Sequence, residues 1–170
     1  MTDIVGLVWI AVALLGGLGL LGLLRGRAAR PLDLRDPADQ LIAVSRADFA
    51  PRPIMNRAEF KRFCWIEAWA RDRPYRLFAQ VSYGEVIRSP DREGHASVNA
   101  KRADFVLVDE DGLPALVIEY QGTGHYRGNA AARDKVKRAA LAKAGVPLLE
   151  LFPKQGRGEV IEEIEAVLKA

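Results

Sequence analysis

Asp104 and Glu119 stand at the outer ends of two apolar runs, Phe105 to Val108 and Ala115 to Ile118, which flank the turn signal Asp111-Gly112. That pattern predicts an antiparallel hairpin. With the turn centred between Asp111 and Gly112, opposed residues have numbers summing to 223, and Asp104 with Glu119 meets that condition. Opposed side chains lie about 4.5 to 5.5 Å apart at Cβ and share a face. Gln121, two residues beyond Glu119, shares it as well. Two carboxylates placed so closely at the edge of an apolar sheet repel each other and lose hydration unless a proton or a cation lies between them. A divalent metal would resolve the conflict, and oxygen ligands suit Mg²⁺ or Mn²⁺. Two other readings stay open: Asp104 as an ordinary strand acid paired with Lys101 or Arg102, and a loop lengthened by Pro114, where a one-residue slip would send the acids to opposite faces.

The elements that must hold these acids follow from the flanking sequence. Asn56-x-x-Glu59 is a capping-box signature, and Phe60, Phe63, Ile66 and Ala70 then recur at helical spacing. Cys64, the single cysteine, falls inside this pattern and is expected to pack as a small hydrophobe. Residues 77–87 (LFAQVSYGEVI) predict a strand relaxed by Gly84, and residues 88–100, rich in turn formers, predict a surface loop carrying His95. After the hairpin come glycines at 122, 124 and 128, then a helix over 131–144 stopped by Gly145. A buried-type strand over 146–152 and an amphipathic helix over 158–169 complete the order. Asp134 and Arg133 are expected in the first turn of the 131–144 helix, and Tyr120 and Tyr126 as packing residues or base-stacking surfaces.

Ahead of this domain the chain changes character. Ile4 to Leu24 is a run of 21 uncharged residues, long enough as a helix to cross a hydrocarbon core of about 30 Å. Asp3 precedes it and Arg25, Arg27, Arg30 and Arg35 follow, the reverse of a signal peptide. The positive-inside rule then places the C-terminal domain in the cytoplasm. Gly16, Gly17, Gly19 and Gly22 offer a close-packing face for a homodimer. Residues 25–54, with four prolines and mixed charge, read as a tether with a short helix near Pro37 to Val44. The expected organisation is therefore an anchor at 1–24, a tether at 25–54 and a folded domain at 55–170. The net charge of +3 is too small to diagnose a nucleic-acid binder. Residues 25–103, however, hold 16 Lys and Arg against 10 Asp and Glu, a basic surface that suits phosphate or anionic lipid.

The blocks NRAEF (56–60), FAQVSYGEVI (78–87), NAKRADFVLVD (99–109), VIEYQGTGH (117–125) and RDKVKRAALAKAGVPLLEL (133–151) resemble the DUF2726 family, within the PD-(D/E)XK or restriction endonuclease-like nuclease superfamily. The resemblance implies an α/β fold with a restriction endonuclease-like core: helix, three-strand meander, helix, strand, helix. It implies Mg²⁺-dependent hydrolysis of phosphodiester bonds in nucleic acid, with Asp104 and Glu119 as metal ligands and Gln121 in the position of the superfamily lysine, as in some restriction endonucleases. His125 matches a family histidine, whereas Gln121 and Gly122 replace acids common in DUF2726 relatives. Gln121 cannot take a proton but can hold water. The base is then the phosphate itself, His125, or Lys137 reaching from the next helix, where Arg133 lies four residues earlier on the same face. The alternative to a nuclease is a catalytically degenerate module of the same fold that binds nucleic acid or protein.

Overall fold

The computed structural model describes residues 30–122 and 130–169. They separate into two compact units with the boundary between Pro51 and Arg52. In the first, Asp36 caps helix α1 (Pro37–Arg46) by accepting a hydrogen bond from the Ala38 amide. Asp39, buried on that helix, accepts from the Asp33 amide at 2.8 Å and from the Arg30 guanidinium at 2.7 Å. Among the described residues no helix is long and apolar enough to cross a membrane. The Ile4–Leu24 run, with its glycines, lies outside them.

The second unit begins with α2 (Arg57–Ala70), whose capping box forms as expected: Asn56 accepts from the amides of Ala58 and Glu59, and Glu59 accepts from the Asn56 amide. Its core-facing side carries Arg62, Ile66, Trp69 and Ala70. Two expectations fail here. Phe60 is 55% exposed and Cys64 is exposed. At 3.6 residues per turn they stand about 120° and 160° around the helix from Ile66, which centres the buried stripe.

Strand β1 (Arg76–Ser82) is shorter than the sequence predicts. Ser82 caps a one-turn helix, α3 (Tyr83–Val86), and the Tyr83 amide bonds to the Lys101 carbonyl, so the chain leaves the sheet at Tyr83. The expected loop over 88–100 contains helix α4 (Arg92–Val98), started by Asp91 accepting from the Gly94 amide at 2.6 Å. His95 is accordingly a half-buried helix residue.

Strands β2 (Arg102–Val108) and β3 (Pro114–Tyr120) form the hairpin. Its register pairs Phe105 with Ile118, Val106 with Val117 and Leu107 with Leu116, each pair summing to 223. The irregularity signalled by Pro114 is a shift between Leu107 and Val108, on the turn side, so it leaves the outer ends in phase. Gly112 has φ of +82°, and Asp109 accepts from the Asp111 and Leu113 amides across the loop. Helix α5 (Ala130–Ala144) supplies the crossover to β4 (Leu148–Leu151), which lies parallel to β3, and α6 (Arg157–Leu168) follows. Because α5 starts at Ala130, Asp134 falls beyond its first turn, contrary to the expected dipole role. The result is a mixed α/β unit whose single sheet has the order β1-β2-β3-β4.

Alternation along the central strands divides the core. Phe105, Leu107, Leu116, Ile118 and Tyr120 face α2 and α6, meeting Ile66, Trp69, Val160 and Ile164. Val106 and Val117 face the other way, toward Tyr83, Val98 and Leu141 from α3, α4 and α5. By the period of two, Asp104 and Glu119 continue this second face.

Candidate functional site

Asp104 and Glu119 are reached where the β2–β3 ladder stops. Phe105 and Ile118 are its outermost pair, and the Tyr120 amide beyond them donates at 2.8 Å to Asp104 Oδ2. The side chain of Asp104 thus receives an amide that a continued strand would have paired with backbone. Its other oxygen faces Gln80, whose Nε2 donates at 3.3 Å. Gln80 adopts φ of +55° and drops out of the β1–β2 ladder between Ala79 and Val81. Asp104 is paired with neither Lys101 nor Arg102 among the described contacts, so the ordinary ion-pair reading does not hold.

Glu119 is 8% exposed. Tyr83 Oη donates to its Oε1 at 2.8 Å, and Lys137 Nζ donates at 2.9 Å to both carboxylate oxygens and at 3.0 Å to the Arg102 carbonyl. The ammonium also stands 5.3 Å from the Tyr83 ring centroid. Burial pushes the Glu119 carboxyl above its ordinary range; Lys137 opposes that rise and the negative charge of Asp104 adds to it. Burial, and then the charge of Glu119, push the Tyr83 phenol up as well, so it remains a donor. The like-charge conflict foreseen between the two acids is real, and in this structure the cation that relieves it is the ammonium of Lys137.

Gln121 lies on the same face but turns to β4. Its Nε2 donates at 2.7 Å to Glu150, which also accepts from the Arg138 guanidinium at 2.6 Å. Glu150 is the parallel-strand partner of Glu119. Two adjacent acids on neighbouring strands are therefore matched by two adjacent cations on α5, Lys137 to Glu119 and Arg138 to Glu150. Tyr120 is a core residue, its ring 4.2 Å from the Arg62 guanidinium carbon, and not a free stacking surface. His125 and Tyr126 lie outside the described residues.

The oxygen-rich donor set of Asp104 and Glu119 suits a hard divalent cation. Among the described residues, Asp104 Oδ1 meets the long Gln80 contact alone, whereas both Glu119 oxygens are taken by Lys137, so a metal held between the acids requires that ammonium to move. Among the described residues no group of three or more His, Cys, Asp or Glu side chains is gathered for a metal. Sequence reasoning missed Tyr83, Gln80 and Glu150. Glu150 had a signal, a lone acid in LLEL, of the same kind that drew attention to Glu119. Tyr83 and Gln80 had none, since each read as an ordinary residue of a continuous strand.

Similarity to other proteins fits this arrangement into a lineage. An uncharacterized protein of Haemophilus influenzae is 44% identical over 124 residues, covering 72% of this chain and 65% of its own length, so the chain spans less than two thirds of that relative. The uncharacterized protein y4bI of Sinorhizobium fredii is 42% identical over 110 residues, 63% of this chain and 79% of its own. No solved structure matches. The model of the DUF2726 family, described as a protein of unknown function, matches residues 51–167, the whole span from ahead of α2 into α6, and the chain belongs to that family.

Proposed function

We propose that the second unit is a metal-dependent nuclease of the restriction endonuclease-like superfamily, hydrolysing phosphodiester bonds of DNA or RNA at the Asp104–Glu119–Lys137 cluster. The observation that carries this reading is the contact of Lys137 Nζ with both Glu119 oxygens on the face shared with Asp104, because it returns a lysine to a site where Gln121 holds the usual lysine position. Asp104 and Glu119 would hold Mg²⁺ or Mn²⁺, which when bound would supply neutralisation of phosphate charge and make water more acidic. Once released from Glu119, the Lys137 ammonium is placed to steady the non-bridging phosphate oxygens and the attacking water. Water adds to phosphorus, the bond to the leaving oxygen breaks, and the proton lost by the water is balanced by one gained at the leaving oxygen. Tyr83 holds the Glu119 carboxylate in orientation. The second reading, a binding module without catalysis, is favoured by the pairing of Glu119 and Glu150 with Lys137 and Arg138 and by the engagement of Gln121 with Glu150.

Residues 4–24 belong to the same proposal as a single-pass membrane anchor with the C-terminal unit cytoplasmic, and the glycines of that run as a homodimer face. The test of the enzyme is incubation of the full-length protein in detergent with supercoiled plasmid, single-stranded DNA and RNA in Mg²⁺ or Mn²⁺, beside Asp104→Ala, Glu119→Ala and Lys137→Ala. Loss of at least a hundredfold in each variant is expected. Cleavage that survives in both acid variants removes the site, and absence of cleavage by the parent with salt-sensitive binding selects the second reading.

A further inference from the structure

Helix α1 carries two large, exposed apolar side chains on one side. Leu41, 70% exposed, and Val44, 53% exposed, lie three residues apart on one side of the helix, and the flanking chain adds Leu34 at 64% and Phe49 at 75%. The opposite side of the helix holds Asp39, buried by Arg30 and the Asp33 amide, together with Arg46. Large apolar side chains gathered on one side of a ten-residue helix and left to solvent are costly in a freely diffusing protein and mark a docking surface.

Sequence position and charge identify the occupant. Only 12 residues separate Leu24, the end of the uncharged run, from Pro37, a reach of about 45 Å even when fully extended. With residues 4–24 in a bilayer, α1 stays close to the surface of that bilayer at high effective concentration. Residues 30–52 carry Arg30, Arg35, Arg46 and Arg52 against Asp33, Asp36, Asp39 and Asp48, four of each sign, so attraction to anionic headgroups is weak and apolar contact dominates. We infer that α1 lies in the membrane interface with Leu41 and Val44 inserted at the level of the acyl boundary, and that it does so without requiring anionic lipid. The inference rests on reading residues 4–24 as an anchor.

The experiment uses the full-length chain with Cys64→Ser, which removes its single, exposed cysteine, and adds one of Leu41→Cys, Val44→Cys, Ala43→Cys or Arg46→Cys. Each variant carries an environment-sensitive fluorophore and is reconstituted in phosphatidylcholine vesicles, with or without phosphatidylglycerol, containing nitroxide-labelled lipid. Quenching several-fold greater at 41 and 44 than at 43 and 46, equal in both vesicle types, is expected. Equal quenching at all four positions, or quenching at 41 and 44 only with phosphatidylglycerol, overturns the inference. Alkaline carbonate extraction separates the two readings: protein that resists extraction while positions 41 and 44 stay unquenched keeps its anchor and loses the docking. Extractable protein with both positions quenched loses the anchor and keeps the docking.

Discussion

Glu119 is held by a phenol and an ammonium, yet its burial outweighs both, and that balance can be read out by pH. The folded chain keeps the Glu119 proton to higher pH than the unfolded chain does, since burial raises its native value. Between the ordinary carboxyl value and the raised one the native state binds more protons, so its stability falls as pH rises through that window. Urea denaturation at a series of pH values is expected to show this falling contribution, and Glu119→Gln is expected to remove it; an unchanged slope in the variant would sink the assignment. Lys137→Met takes away the group that opposes the rise. It leaves Glu119 buried beside Asp104 without a cation, a loss of about 3 to 5 kcal/mol when the acid is ionised. That loss is expected to shrink at low pH, where Glu119 protonates, and denaturation of the variant at two pH values checks it. How far this site was legible is equally a matter of individual residues. The like charges of Asp104 and Glu119 demanded a cation, which the residue types alone could state. That Lys137 supplies it, and that Tyr83 adds a hydroxyl from a separate helix, depends on where α5 and α3 dock, and no local pattern encodes that.

Elements set these positions, and two of them can be tested by single methyl groups. The hairpin register was legible because the turn pair and the apolar alternation agree on it; Pro114 left a one-residue slip open, and the shift it marks falls on the turn side of Leu107. The helices α3 and α4 were not legible. Val81, Tyr83 and Ile87 favour strand, and the turn formers over 88–100 read as loop, so neither pattern points to the caps that Ser82 and Asp91 supply. What holds α3 against α4 is the bare Gly84: a Cβ there would meet Asn99 Cβ at 3.0 Å, its Cα at 3.1 Å and His95 Cε1 at 3.2 Å. Gly84→Ala must therefore part the two helices and shift the neighbouring Tyr83. A destabilisation of about 1 to 3 kcal/mol is expected, together with a changed Glu119 pH profile. At Gly112 a Cβ meets nothing within 4 Å, so Gly112→Ala has only its left-handed backbone to resist it, about 1 to 2 kcal/mol, and the pH profile should stay as in the parent. Equal effects of the two substitutions on that profile would show that the α3–α4 contact does not position the site.

At the scale of the whole chain, the division of labour is between a unit that carries the sheet and a preceding stretch that does not share its core. Every buried residue of the two apolar clusters lies between Ile66 and Ile164, and the family match begins at residue 51, beside the boundary at Pro51 and Arg52. Arg62 strengthens the case, because this buried guanidinium ties α2 to the carbonyls of Phe152 and Pro153 after β4, closing the unit on itself across 90 residues of sequence. The capping box of Asn56 also lies wholly inside it. Residues 52–170 are therefore expected to fold without the rest of the chain and to unfold in one cooperative transition, within a few degrees of the full-length protein in detergent, as followed by circular dichroism. Within that fragment Asn56→Ala removes the cap of α2 and should cost about 1 kcal/mol. A fragment that lacks a cooperative transition would mean that residues 1–51 contribute to the core itself. Such a result would move the boundary of the unit toward the N-terminus.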